Sequence, residues 1–170
     1  DPSLNKNLVR SDLEVNFSED MQKYQISNVE IITVKMPVKD AVSFTGSIAA
    51  GKSKASNENT MISTLTAEML DKGTIYLDRF DLQKIKDSLG IKIEFSVNND
   101  ALTFSGKFIT KDTKKAIELL SDQLIKPKFD KDVFDALKSE LKSSLLQYEN
   151  NTDFLAEGLL SRNLYNKTHR

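Results

Sequence analysis

The sequence predicts an α+β domain, an antiparallel sheet with helices packed on one face, and three observations predict it. Residues 91–108 alternate apolar and polar side chains on both sides of Asn98-Asn99-Asp100, the pattern of a hairpin with one dry face. Several stretches carry apolar residues at three-and-four spacing, which gathers them on one side of a helix. The order is strands, two helices, hairpin, then helices. That segregation favours α+β over a parallel doubly wound sheet, whose strands would be continuously apolar.

In chain order, residues 1–27 are expected to be a linker or docking arm, with Met21–Ile26 as a short strand at its end, and 28–170 the domain proper. The opening Asp-Pro-Ser reads as a cut inside a longer protein, and the domain as truncated at its C-terminal end. Val29–Met36 predicts a strand closed by Pro37. In Ala41–Ala50, Val42, Phe44, Gly46 and Ile48 alternate with Ser43, Thr45 and Ser47, a second strand; 51–59 is a loop by composition. Thr60–Thr74 predicts the first helix, with Ile62, Leu65, Thr66 and Met69 on its apolar stripe, Glu68 and Asp71 on the far side or the boundary, and Gly73 as its stop. The second helix spans 78–89 on Leu82, Ile85 and Leu89, from an Asp78 cap to Gly90. Ile91, Ile93, Phe95 and Val97 face inward and pair through the turn with Leu102, Phe104, Gly106 and Phe108. This hairpin and the strands before it are expected to make one twisted sheet. A third helix, 112–125, uses Ala116, Ile117, Leu120 and Leu124 and stops before Pro127. A long fourth starts at Asp130 on Val133, Phe134, Leu137, Leu141, Leu145 and Tyr148. A fifth, capped near Thr152 or Asp153, uses Leu155, Leu159, Leu160 and Leu164.

Composition narrows the chemistry. Twenty-four basic and 25 acidic residues leave a net charge of −1, without the basic footprint of a nucleic-acid binder. Apolar runs fall well short of the ~18 residues of a membrane span. Cysteine is absent and histidine occurs once, as His169. That removes thiol chemistry and disulfides, and leaves too few ligands for the usual zinc sites. Acidic residues are spread along helix faces, with no calcium-loop spacing.

One stretch matches a functional pattern letter for letter. Gly46–Ser53, GSIAAGKS, satisfies G-x-x-x-x-G-K-[ST], in which backbone N–H groups cradle phosphates and the lysine reaches them. TIYLD at 74–78 could stand as the second nucleotide-binding strand. The surroundings argue otherwise: Lys52 is followed by the loop-like SKASNEN, and the preceding strand alternates. A strand end and loop is the favoured reading, with nucleotide binding at Gly46–Ser53 as the alternative.

A further set of residues runs in order through the chain: GSIAAGK from Gly46, MLDKGT at 69–74 with Arg79, Leu89-Gly90 leading into FSVNND at 95–100, Phe104-Ser105-Gly106, Asp112 before Leu119, Leu120 and Leu124, then Pro127, Phe129, Leu164-Tyr165 and His169. With this series the sequence resembles the pitrilysin/insulinase family of zinc metallopeptidases, the inverzincins. In that family the GSIAAGK stretch is an ordinary strand end. Activity there depends on H-x-x-E-H, two zinc-binding histidines and a water-activating glutamate, on the helix just before M-L-x-K-G-T.

Counting back from Met69, the resemblance puts Thr64, Ala67 and Glu68 at those positions, and Ser143 and Ser144 where the distal glutamate ligand is expected. It therefore implies a non-catalytic domain without zinc or other cofactor of its own, forming part of a peptide-enclosing chamber. Its implied partner is a zinc-bearing catalytic peptidase domain or subunit of the same family, acting on a peptide or unfolded protein. The other possibility is a scaffold or interaction module that has lost proteolysis altogether.

Overall fold

The computed structural model describes residues 20–55, 61–148 and 152–164. The expectations for 1–19, for 56–60, for the turn after the fourth helix, and for Tyr165 and His169 lie outside them, as does the Tyr148 side chain. The chain falls into two compact units, Asp1–Asp40 and Ala41–Arg170.

In the first unit, β1 (Met21–Ile26) and β2 (Val29–Val34) form an antiparallel hairpin that pairs Met21 with Val34 and Ile26 with Val29. The two-residue turn places Ser27 at φ 52, the positive value such hairpin turns require. Among the described residues these strands hydrogen-bond only each other, not the sheet of the later hairpin as the sequence had suggested. Adjacent Ile31 and Ile32 point to opposite faces of β2, so the local pattern specifies no single dry side.

The second unit holds a three-stranded antiparallel sheet of β3 (Ala41–Ile48), β4 (Lys92–Val97) and β5 (Leu102–Ile109), in the order β3-β5-β4. Its register sets Val42 against Phe108, Phe44 against Gly106 and Gly46 against Phe104, and on the other side Phe95 against Phe104 and Val97 against Leu102. One face is thereby wholly apolar. The Phe104 ring lies where a Cβ on Gly46 would stand, so this glycine makes room for the aromatic residue paired with it. Ser43, Thr45, Ser47, Thr103, Lys92, Glu94 and Ser96 occupy the opposite face.

Among the described residues of this unit the helices are α1 (Ile62–Leu70), α2 (Arg79–Leu89), α3 (Thr113–Ile125), α4 (Lys131–Tyr148) and α5 (Thr152–Leu164). Local chemistry sets several ends. The Asp78 carboxylate accepts from the N–H groups of Phe80 (2.8 Å) and Asp81 (2.9 Å), and α2 stops at Gly90 with φ 64. Asp130 accepts from the N–H groups of Asp132 and Val133 at the start of α4, and the Lys128 ammonium beside it holds its carboxyl below the ordinary range. The main core joins Leu82 of α2, Ala116, Leu119 and Leu120 of α3, and Ile93 and Phe108 of the sheet. A second cluster packs Ala67 and Leu70 of α1 on Leu102, Phe95 and Val97. No helix among the described residues is long and apolar enough to cross a membrane.

The buried stripes differ from the predicted ones in four helices, in α4 because Leu145, near the end of the helix, is exposed. In α1, Ala67, Met69 and Leu70 are buried while Ile62 and Thr66 are exposed, because small Ala67 lets the helix approach the sheet along a neighbouring stripe. The helix also ends at Leu70, and 71–78 form a turn closed by the N–H groups of Tyr76 and Leu77 on Thr74 Oγ1. In α3, Leu119 is buried and Ile117 exposed. In α5, all four leucines are exposed. Leu82, Leu120 and Leu137 are buried and Ile85 and Leu141 half-buried, as the sequence predicts.

Candidate functional site

The three positions that the resemblance sets against H-x-x-E-H, Thr64, Ala67 and Glu68, lie on α1. Thr64 is half-buried, and its Oγ1 is shielded from solvent without a hydrogen-bond partner. Ala67 is buried in the second core cluster, and Glu68 is exposed. On α4, the Ser143 and Ser144 hydroxyls donate to carbonyls one turn back in their own helix, Ser139 (3.0 Å) and Glu140 (3.1 Å). These residues do not fit a zinc ion. A methyl group supplies no donor, the serine hydroxyls are committed to the backbone, and one exposed carboxylate is no cage. Among the described residues, no group of three His, Cys, Asp or Glu is placed to hold a metal ion.

The Gly46–Ser53 stretch is fully accounted for by backbone pairing. The N–H groups of Gly51, Lys52 and Ser53 donate to the carbonyls of Asp100 (3.2 Å), Asn98 (2.9 Å) and Asn99 (2.8 Å) in the β4–β5 turn. Asn98 Oδ1 braces that turn by accepting from the N–H groups of Asp100 and Ala101. A phosphate cradle needs those same N–H groups free. Gly51 is buried, and a Cβ there would run into the Asp100–Ala101 backbone. Gly46 lies within β3, and the helical turn after Gly51 is only Lys52–Lys54.

Sequence reasoning missed a polar cluster at the end of α1. The Lys86 ammonium, nearly buried, lies 2.7 Å from Asp71 Oδ1. Gln123, fully buried, donates through Nε2 to the same Asp71 oxygen (2.9 Å) and to the Leu70 carbonyl (3.2 Å). Its Oε1 is buried without a partner. Three segments far apart in sequence are tied at one carboxylate, which fixes where α1 ends relative to α2 and α3. The available signal for Lys86 is its place one turn after Leu82, within the buried stripe.

An α+β domain, an antiparallel sheet with helices packed on it, is the class that the fold defines. The model of the Insulinase family, peptidase family M16, matches residues 30–170. The chain belongs to that family. The Helicobacter pylori protein described as "Non-peptidase homolog YmxG" is 24% identical over 119 residues, 69% of this chain and 28% of that protein. A peptidase M16 inactive domain from Pseudomonas fluorescens superposes with a TM-score of 0.79 at 20% identity, covering 86% of this chain and 36% of that one. The ferredoxin protease FusC, in complex with Arabidopsis ferredoxin, gives 0.75 at 17% identity, over 88% of this chain and 17% of its own. The chain thus spans about a third or less of the length of these relatives.

Proposed function

We propose that this chain is a non-catalytic domain of a zinc metallopeptidase-family protein, forming part of a peptide-enclosing chamber beside a zinc-bearing catalytic domain. The observation that carries the reading is the α1 register. In the register that the resemblance implies, Thr64, Ala67 and Glu68 stand where the family's ligands and base are expected, and Ala67 packs in the core. Its contribution to proteolysis is then shape and docking: the polar sheet face and the edges of β3 and β4, which pair with no further strand among the described residues, offer backbone groups to an extended peptide. Zinc and the attacking water belong to the partner domain, and the substrate is a peptide or unfolded protein.

The Helicobacter pylori relative, a non-peptidase homologue, favours a second reading, a scaffold without proteolysis. One experiment separates them. The assembled full-length protein is assayed for peptide cleavage with and without chelator, alongside a search of its whole sequence for H-x-x-E-H. Chelator-sensitive cleavage that persists in a Glu68→Gln variant supports the chamber reading. Loss of cleavage in that variant places catalysis in this domain and overturns it, whereas no cleavage and no motif leaves the scaffold.

A further inference from the structure

The face of the three-stranded sheet opposite its apolar one carries three rows of polar side chains. The register sets Ser47, Thr103 and Ser96 across one row, Thr45, Ser105 and Glu94 across the next, and Ser43, Lys107 and Lys92 across the last. The first row satisfies itself in part, since the hydroxyls of Ser96 and Thr103 share a hydrogen bond of 2.7 Å. The last row does not. It stands two ammonium-bearing side chains directly opposite each other on neighbouring strands, an arrangement that costs a sheet stability. Lys92 turns to Glu94 of its own strand (2.7 Å), with both side chains more than half exposed. Lys107 is exposed and makes no ion pair among the described residues.

A serine or threonine at 107, like those elsewhere in the rows, would avoid the repulsion, so the fold itself does not call for the pair. We propose that the Lys92–Lys107 end of this face binds a carboxylate of an extended acidic polypeptide. Charge complementarity selects the anion. Two cations face one carboxylate, Glu94, and a second carboxylate laid between them would relieve the repulsion. The other positions select the form of the ligand. They carry only serine and threonine hydroxyls, short side chains that both donate and accept, over which an extended backbone can lie. The rows repeat at roughly 7 Å, the spacing of alternate residues in such a chain. A nucleic acid would call for a broadly basic protein, and this chain has a net charge of −1. Binding here requires no cleavage, so it goes beyond the proposed function and holds for a chamber wall and a scaffold alike.

The test measures fluorescence anisotropy of a labelled oligoglutamate peptide with the full-length protein at low ionic strength. Lys107→Gln should weaken binding about three- to fivefold and Lys92→Gln by less, while Lys84→Gln, at an exposed lysine of α2, should leave it unchanged. Lys107→Glu should move two readouts in opposite directions. It sets a carboxylate opposite Lys92, so the thermal unfolding midpoint should rise while peptide binding falls about tenfold. No binding by the unaltered protein, equal loss in Lys84→Gln, or unchanged binding in both Lys107 variants would overturn the proposal. So would equal binding of oligoglutamine or of a single-stranded oligonucleotide. Each of these results leaves the proposed function standing.

Discussion

Helices α2 and α5 are both rich in leucine, yet one is anchored and the other bare. In α2, Leu82, Ile85 and Leu89 fall within an arc of about 60°, and Leu82 is 0% exposed against the sheet and α3. In α5, Leu155 and Leu159 lie on one side and Leu160 and Leu164 about 140–180° round from Leu155, and Leu159 is 60% exposed. An apolar arc that narrow can be satisfied by one sheet face. Leucines on two sides of a helix need cover from two directions, which no described element supplies to α5. How apolar residues are distributed round a helix, more than how many there are, decides whether one neighbour is enough.

The contrast is broken or sharpened most strongly at Leu82. Leu82→Ala should destabilise the domain by about 3 kcal/mol, since a fully buried leucine is replaced by a cavity; the shift of the urea midpoint measures it. A change under about 1 kcal/mol would mean that the α2 face is no better anchored than α5. Gly51→Ala should cost about 2 kcal/mol, because its Cβ meets the β4–β5 turn and disturbs the three bonds that hold the strand end there. Titration with Mg·ATP should give no heat in either form, and micromolar binding removed by Lys52→Ala would revive the nucleotide reading. Lys86→Met should cost about 1–2 kcal/mol, at the low end for a buried ion pair because Asp71 is partly solvated. Pairing it with Asp71→Leu should recover part of the loss, and strictly additive costs would show the two residues to be uncoupled. Asp78→Ala should cost about 1 kcal/mol by leaving two N–H groups uncapped. Leu159→Ala should change stability by less than about 0.5 kcal/mol in the isolated chain and by more in the assembled protein, if α5 is covered there.

How much of this was legible in the sequence follows the range of the interactions involved. The β4–β5 hairpin was, since alternation on both arms and an Asn98 turn are properties of neighbouring residues. The limits of α2 were as well, because a cap and a positive-φ glycine act within four residues. At the candidate site the resemblance singles out Thr64, Ala67 and Glu68, but that Ala67 is buried in the core while Glu68 is exposed depends on what α1 packs against. What the Gly46–Ser53 stretch does was only partly legible, for its letters match a phosphate loop while its N–H groups belong to a turn some fifty residues away.

By itself, then, the sequence determined the order and type of the elements and the α+β class, because these are written in spacing, capping and turn chemistry along one segment. The tertiary structure alone decided which stripe of α1 and α3 is buried, that β1 and β2 pair only with each other among the described residues, and that Asp71, Lys86 and Gln123 meet. Burial and ion pairing depend on what lies across from a residue, and for Asp71 the partners arrive from positions 15 and 52 residues away.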